Sequence, residues 1–184
     1  MVRLQADFPD LALDWRGFEL HPETPRGGMA LSEWLGPRAA DAPKRMAQFA
    51  ARFGIHDMKH PMRIPNTRRA LAVAELARER GRLDAFRAAA MSAHWRDGLD
   101  IESDRDLRAI AQRAGLDPDE AVRAADEPEY QRRIDEVRAE ANALGVTGIP
   151  TFVFGDLEAR ALAVVGCQPY EVLAGAIRRL RETA

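Results

Sequence analysis

The sequence predicts an α/β fold in which a large block of helices interrupts a small sheet. Three observations carry this. The stretch "LALDWRGFEL", from Leu11 to Leu20, alternates apolar and polar residues with the period of a strand. Residues 40–144 are dominated by helix-period segments, punctuated by capping residues and closing glycines. From "GVTGIPTFVFG" (145–155) onward the chain reads strand, strand, helix.

In order, the first strand has Leu11, Leu13, Trp15, Phe18 and Leu20 as its apolar set, with a kink expected at Gly17. "HPETPRGG" is a loop by its Pro and Gly content. In "DAPKRMAQFAARFG", Met46, Phe49, Ala50 and Phe53 fall on one helical face, with Pro43 in the first turn and Gly54 at the stop. "GIHDMKHPMRIP" is a connector. "NTRRALAVAELARERG" begins with Asn66 as cap and stops at Gly81. "LDAFRAAAMSAHWRDG" stripes Leu83, Phe86, Ala90 and Ala93 and closes at Gly98. "SDRDLRAIAQRAG" is capped by Ser103 and buries Leu107, Ile110 and Ala114. Asp117 caps the next helix, with Pro118 in its first turn. "EYQRRIDEVRAEANALG" carries Ile134, Val137, Ala141 and Leu144 on one face. "IPTFVFG" and "ARALAVVG" form an antiparallel hairpin. "PYEVLAGAIRRLRE" closes the fold by burying Val172, Leu173, Ala176, Ile177 and Leu180.

At 184 residues, 46% of them hydrophobic, the chain is long enough for one domain with a substantial core, 1–184, holding a helical insertion over 40–144. A formal net charge of -2 gives no steering toward nucleic acid or an anionic membrane. No apolar run approaches the roughly 20 residues that span a bilayer, and "MVRLQADFPD" lacks the apolar stretch of a signal peptide. The expected location is the cytoplasm. The single cysteine, Cys167, closes no internal disulfide and no Cys-based zinc site. His56 and His60 stand four apart around Asp57, a spacing that binds metal on a helix, but Gly54 and Pro61 flank them, so an exposed loop without metal is expected. There is no Gly-rich phosphate loop and no Ser nucleophile elbow, and no cofactor is expected.

A proline at the mouth of a strand donates no ladder hydrogen bond and needs a sharp turn beside it, which a cis bond provides. "GVTGIPTFVF", followed by a hairpin and a closing helix, resembles the C-terminal half of the DsbA-like thioredoxin-fold family. "LALDWRGFELHPETPRGG", "PNT" (65–67), "AHWRDGLDIESDRDLRAIAQRAGLD" and "VVGCQPYEVL" are similar to its cytoplasmic, FrnE-like branch. The resemblance covers nearly all of residues 3–182. It implies a thioredoxin-like (DsbA-type) α/β fold with a helical insertion, and thiol–disulfide oxidoreduction on peptide or protein substrates. Gly148, Ile149, Pro150, Thr151 and Gly166 would hold the substrate, with Pro150 as the cis-proline and Cys167 as the sole candidate catalytic thiol beside them. The plainer reading of Cys167 is a small buried residue in place of Ala.

The family's first strand, and the Cys-x-x-Cys motif opening its first helix, have no counterpart here; the sequence starts where that helix would be ending. The expectation is a chain that is incomplete or redox-inactive as written. The strand at Leu11–Leu20 then lacks its neighbour. It would find one in a preceding segment, in direct pairing with Thr151–Phe154, or in a second copy, as a homodimer. Related 2-hydroxychromene-2-carboxylate isomerases and kappa-class glutathione transferases place a similar Asn-Thr pair near glutathione. Asn66 and Thr67 are therefore both helix-capping residues and candidate glutathione contacts. A degenerate peptide-binding or dimerisation module and a glutathione-dependent isomerase or transferase are the alternative functions.

Overall fold

The computed structural model describes residues 1–156 and 160–182. In chain order the elements are α1 (Val2–Asp7), β1 (Met29–Ala30), α2 (Leu31–Leu35), a 3-10 turn (Gly36–Ala39), α3 (Ala42–Ala51), β2 (Arg63–Ile64), α4 (Arg68–Glu79), α5 (Leu83–Ser92) running into a π turn (Ala93–Asp97), α6 (Asp104–Arg113), α7 (Pro118–Asp126), α8 (Pro128–Ala143), β3 (Thr151–Asp156), β4 (Arg160–Val165) and α9 (Tyr170–Arg181). The connection between the last two strands, 157–159, lies outside the described residues. No helix among the described residues is long and apolar enough to cross a membrane.

Two cores organise these elements. The larger is helical: α4 packs on α5, α7 and α8, and α6 packs on α5 and α7. It encloses Val73, Leu76, Phe86, Leu107, Ile110, Ala121 and Ile134, each of the larger side chains adding roughly 1.5–3 kcal/mol on full burial. Side-chain caps fix where its helices start. Ser103 accepts from the N–H of Asp106, and Asp117 from those of Asp119 and Glu120. The smaller core joins α1, β3 and α9 through Leu4, Phe8, Phe154, Leu173, Ala174 and Ile177. Val172, expected inside, is exposed, because α9 meets the hairpin on one narrow face only.

Among the described residues two sheets form, each of two antiparallel strands. Met29 pairs with Ile64 and Ala30 with Arg63. Gly28 enters this ribbon at φ +74°, where a Cβ would sit 2.5 Å from the Ile64 carbonyl oxygen, so only glycine is accommodated. The hairpin β3–β4 runs from Thr151↔Val165 to Asp156↔Arg160.

Residues 11–20 do not form the expected strand and do not pair with β3. Their burial still alternates along most of the stretch: Leu11, Leu13 and Trp15 are half-buried, while Ala12, Asp14 and Arg16 are exposed. The side-chain pattern of a strand is present, but among the described residues no ladder partner is, and a strand exists only as part of a ladder. Arginines from the helical block hold the segment instead. Arg78 reaches Asp14 at 2.6 Å and the Trp15 carbonyl oxygen. The Arg87 guanidinium lies 4.0 Å from the centre of the Trp15 ring. Glu19, 3% exposed, accepts from Arg68 of α4 at 3.0 Å and from Arg138 of α8 at 3.1 Å, both at Oε2.

The apolar face of α3 is largely uncovered. Ala50 is buried, but Met46, Phe49 and Phe53 are exposed. Helical period shows that a face is apolar; whether another element covers it is decided elsewhere in the chain.

Two stability measurements follow. Glu19→Ala leaves two half-buried guanidiniums without their shared carboxylate and should cost about 2–4 kcal/mol in urea unfolding, far more than Asp14→Ala at the exposed end. His94 packs edge-on to Trp95 with ring centroids 4.6 Å apart, and burial holds its pKa below the ordinary histidine range, against opposing contributions from the Leu99 backbone and Asp100. The unfolded chain takes up this proton near pH 6.5, about the reference value, while the folded chain resists it. Stability from His94 is therefore complete above that pH and declines as pH falls below it. His94→Gln should flatten the profile between pH 7 and 5.

Candidate functional site: the mouth of the C-terminal hairpin

The polar turn at 145–150 delivers the chain into β3 through a cis peptide bond between Ile149 and Pro150. Thr151 Oγ1 donates to the Gly148 carbonyl oxygen at 2.7 Å and ties the turn to the strand. Across the mouth, the Gly166 N–H donates to the Pro150 carbonyl oxygen at 2.7 Å. Proline has no N–H to return, so this end of the ladder is closed by a single bond.

That bond sets the polarity of the whole hairpin. Pro150 and Gly166 continue the register Thr151↔Val165, so they occupy a hydrogen-bonded position. Phe152 and Phe154 then point their backbone groups at β4, and Thr151, Val153 and Gly155 point theirs outward, since the two kinds of position alternate along an antiparallel pair. Among the described residues, no backbone hydrogen bond meets the outward N–H and C=O groups of those three residues. The side chains divide similarly. Phe152 and Phe154 stack in parallel, centroids 6.4 Å apart, on the packed face. Val153 and Val165 are exposed, as is Ile149 at the turn (52%).

Cys167 follows Gly166 directly and its thiol is free and exposed. Gln168 fixes the bend beyond it, donating from its backbone N–H to the Gly166 carbonyl oxygen at 2.9 Å and from Nε2 to that of Val165 at 2.8 Å. Helix α9 opens at Tyr170, three residues on. The reading of Cys167 as a small buried residue is therefore corrected: the tight turn at Gly166 ends the strand before the thiol reaches the packed face.

The structure brings together Gly148, Ile149, Pro150, Thr151, Gly166 and Cys167. It places Asn66 and Thr67 elsewhere. Asn66 works as a cap, its Oδ1 accepting from the Arg68 N–H at 2.9 Å and its Nδ2 donating to the Thr24 carbonyl oxygen at 2.7 Å. Its own N–H donates to Glu102 Oε1 at 2.8 Å, while Glu102 Oε2 accepts from the Gly27 N–H at 2.7 Å. Asn66 also borders a cleft of about 190 Å³ with Arg26, Arg68, Arg69, Asp126 and Gln131. The charges there are matched, Arg69 bonding Asp104 and Asp126 and Arg68 bonding Glu19 and Asp135. Glu19, Glu102, Arg68 and Arg69 organise this region, and local patterning does not single them out; a carboxylate inside the apolar run Phe18–Leu20 is the one sequence signal.

A family model described as a DSBA-like thioredoxin domain matches residues 1–178. Among solved structures, the chain is similar to a probable DsbA oxidoreductase from Streptomyces coelicolor, at 26% identity and a TM-score of 0.78, covering 92% of this chain and 75% of that one. It also shares a fold with a candidate protein disulfide isomerase from Nitrosomonas europaea, at 16% identity and a TM-score of 0.55, covering 77% and 74% of the two chains. No curated protein matches the chain.

An exposed thiol at a tight turn should titrate in the native state. Ellman's reagent should report one thiol per chain without denaturant. A thiol that reacts only in urea would contradict the placement of Cys167.

Proposed function

We propose that this chain, which belongs to the family of DSBA-like thioredoxin domains, holds thiol- or disulfide-bearing peptides at the mouth of its C-terminal hairpin and exchanges disulfides there. The family is one of thiol–disulfide oxidoreductases; the substrate class and the use of this site are the reading offered. One observation carries it. The outward backbone groups of Thr151 and Val153, beside Pro150, form an open strand edge within two residues of the junction that carries the only thiol. An extended peptide adding to that edge gains main-chain hydrogen bonds without regard to its sequence. Ile149 and Val153 offer it apolar contact.

The chemistry available to one cysteine is limited and definite. The Cys167 thiolate attacks one sulfur of a substrate disulfide, a bond forms between Sγ and that sulfur, and the other sulfur leaves as a thiolate. A second thiol, from glutathione or the peptide, must then attack the mixed disulfide to release Cys167. This reading places the chain in a reducing compartment such as the cytoplasm, among FrnE-like relatives. A peptide-binding module without chemistry is the second reading, favoured by the single cysteine; the same open edge would also serve pairing with a second copy.

Incubation with glutathione disulfide should give a glutathione adduct on Cys167 by intact-mass spectrometry, reversed by excess thiol and abolished by Cys167→Ser. Peptide affinity should fall by less than about twofold in Cys167→Ser, because the backbone edge does the holding. No adduct with retained peptide binding would favour the module; loss of both would remove the hairpin mouth as the site.

A further inference from the structure

Two apolar surfaces of the chain are uncovered among the described residues. The first belongs to α3. This helix packs mainly on the 3-10 turn before it, and only Ala42 and Ala50 of its ten residues are buried. Met46, Phe49 and Phe53 stand exposed along it and the turn that follows. The two phenyl rings meet edge to face with centroids 5.3 Å apart, so they form one block. The second surface is the outer face of the hairpin. Phe152 and Phe154 take the other face to the core of α1 and α9. Val153, Gly155, Ala161, Ala163 and Val165 therefore share the outer one, and all five are exposed.

The surface area shows how much is left uncovered. A monomeric protein of this chain's 20.5 kDa exposes about 8,800 Å²; this one exposes 11150 Å². Taken from two chains, a surplus of about 2,300 Å² each is what an obligate homodimer buries, roughly 2,000–5,000 Å² in total. Shape and charge decide how two copies meet. The α3 surface is bulky and the hairpin surface is small and flat, and a helix laid on a sheet is an ordinary way to cover such a face. Two α3 helices facing each other would instead bring like charges together. Residues 36–55 carry Arg38, Lys44, Arg45 and Arg52 against the single carboxylate of Asp41. The whole chain has a net charge of -2, so the remainder of a second copy is acidic and receives α3 better than another α3 does.

We propose that the chain forms a two-fold dimer in which α3 of each copy packs on the outer hairpin face of the other. Two-fold symmetry makes the same contact twice and covers both surfaces at once. The contact uses the face of β3 and β4 rather than the outward edge of β3, so it does not rest on the peptide binding proposed above.

The test measures mass in solution by light scattering on the full chain carrying Cys167→Ser, so that no disulfide links the copies. The expected mass is twice that of the chain. Phe49→Ser combined with Phe53→Ser, and separately Ala163→Lys, should each give a monomer with the far-UV circular dichroism of the parent. Mixing these two variants should restore a dimer, since one intact α3 then meets one intact hairpin face. Its dissociation constant should lie at least about tenfold above the parent's, because one of two linked contacts is gone. A monomeric parent overturns the proposal, including one that binds anionic vesicles through α3. So does a dimer that survives Ala163→Lys alone, which would set α3 against α3, or one that survives both changes, as pairing of β3 edges would. Variants that stay monomeric when mixed also overturn it. Should either variant lose its helical signal, the mass of the other decides the matter alone.

Discussion

The buried carboxylate of Glu19, shared between Arg68 and Arg138, is the contact on which the arrangement of the molecule turns. Residues 11–20 have no ladder among the described residues, and their one backbone-to-backbone bond there, from the Leu11 N–H to the Phe8 carbonyl oxygen, holds only their first residue. Glu19 anchors one end to α4 and α8, Arg78 and Arg87 seize Asp14 and Trp15 in the middle, and Leu11 packs at the other end against the core of α1, β3 and α9. The segment thereby ties the helical block to the hairpin. Guanidinium groups suit this task because each presents several donors in a fixed plane. Arg68 uses them on Glu19, Gln131 and Asp135 at once.

The hairpin depends on that tie. Its packed face rests on α1 and α9, while its outer face and the outward backbone of β3 stay open. The junction of Pro150 with Gly166 closes the ladder with one bond and places Cys167 just beyond the strand. Backbone groups for an extended peptide and a free thiol meet at one edge for a simple geometric reason: an antiparallel pair brings the start of one strand beside the end of the other.

Features set by neighbours in sequence were legible in advance. The caps at Ser103 and Asp117, the helix stops at Gly81, Gly98 and Gly115, and the Thr151–Val165 hairpin depend on contacts within a few residues, and local patterning encodes such contacts. The meeting of Pro150 with Gly166 followed from the hairpin alone. What was not legible depends on distant partners. Alternation in Leu11–Leu20 gave the right burial and the wrong element, because a strand needs a second strand. The apolar face of α3 is legible from its period, and its exposure is not. Glu19 meets arginines 49 and 119 residues away, a pairing no local period reveals. The capping expected of Asn66 is local and is found, its Oδ1 accepting from the Arg68 N–H.

The central claim is that extended peptides bind along the outward edge of β3 beside Pro150. Amide chemical-shift mapping with a short cysteine-containing peptide tests it most directly. The account predicts shifts concentrated at Thr151, Val153, Gly155 and Cys167, with Phe152 and Phe154 moving less and α4 unchanged. Shifts centred on Asn66, Arg68 and Arg69 instead would contradict it and move the binding site to the arginine-lined cleft.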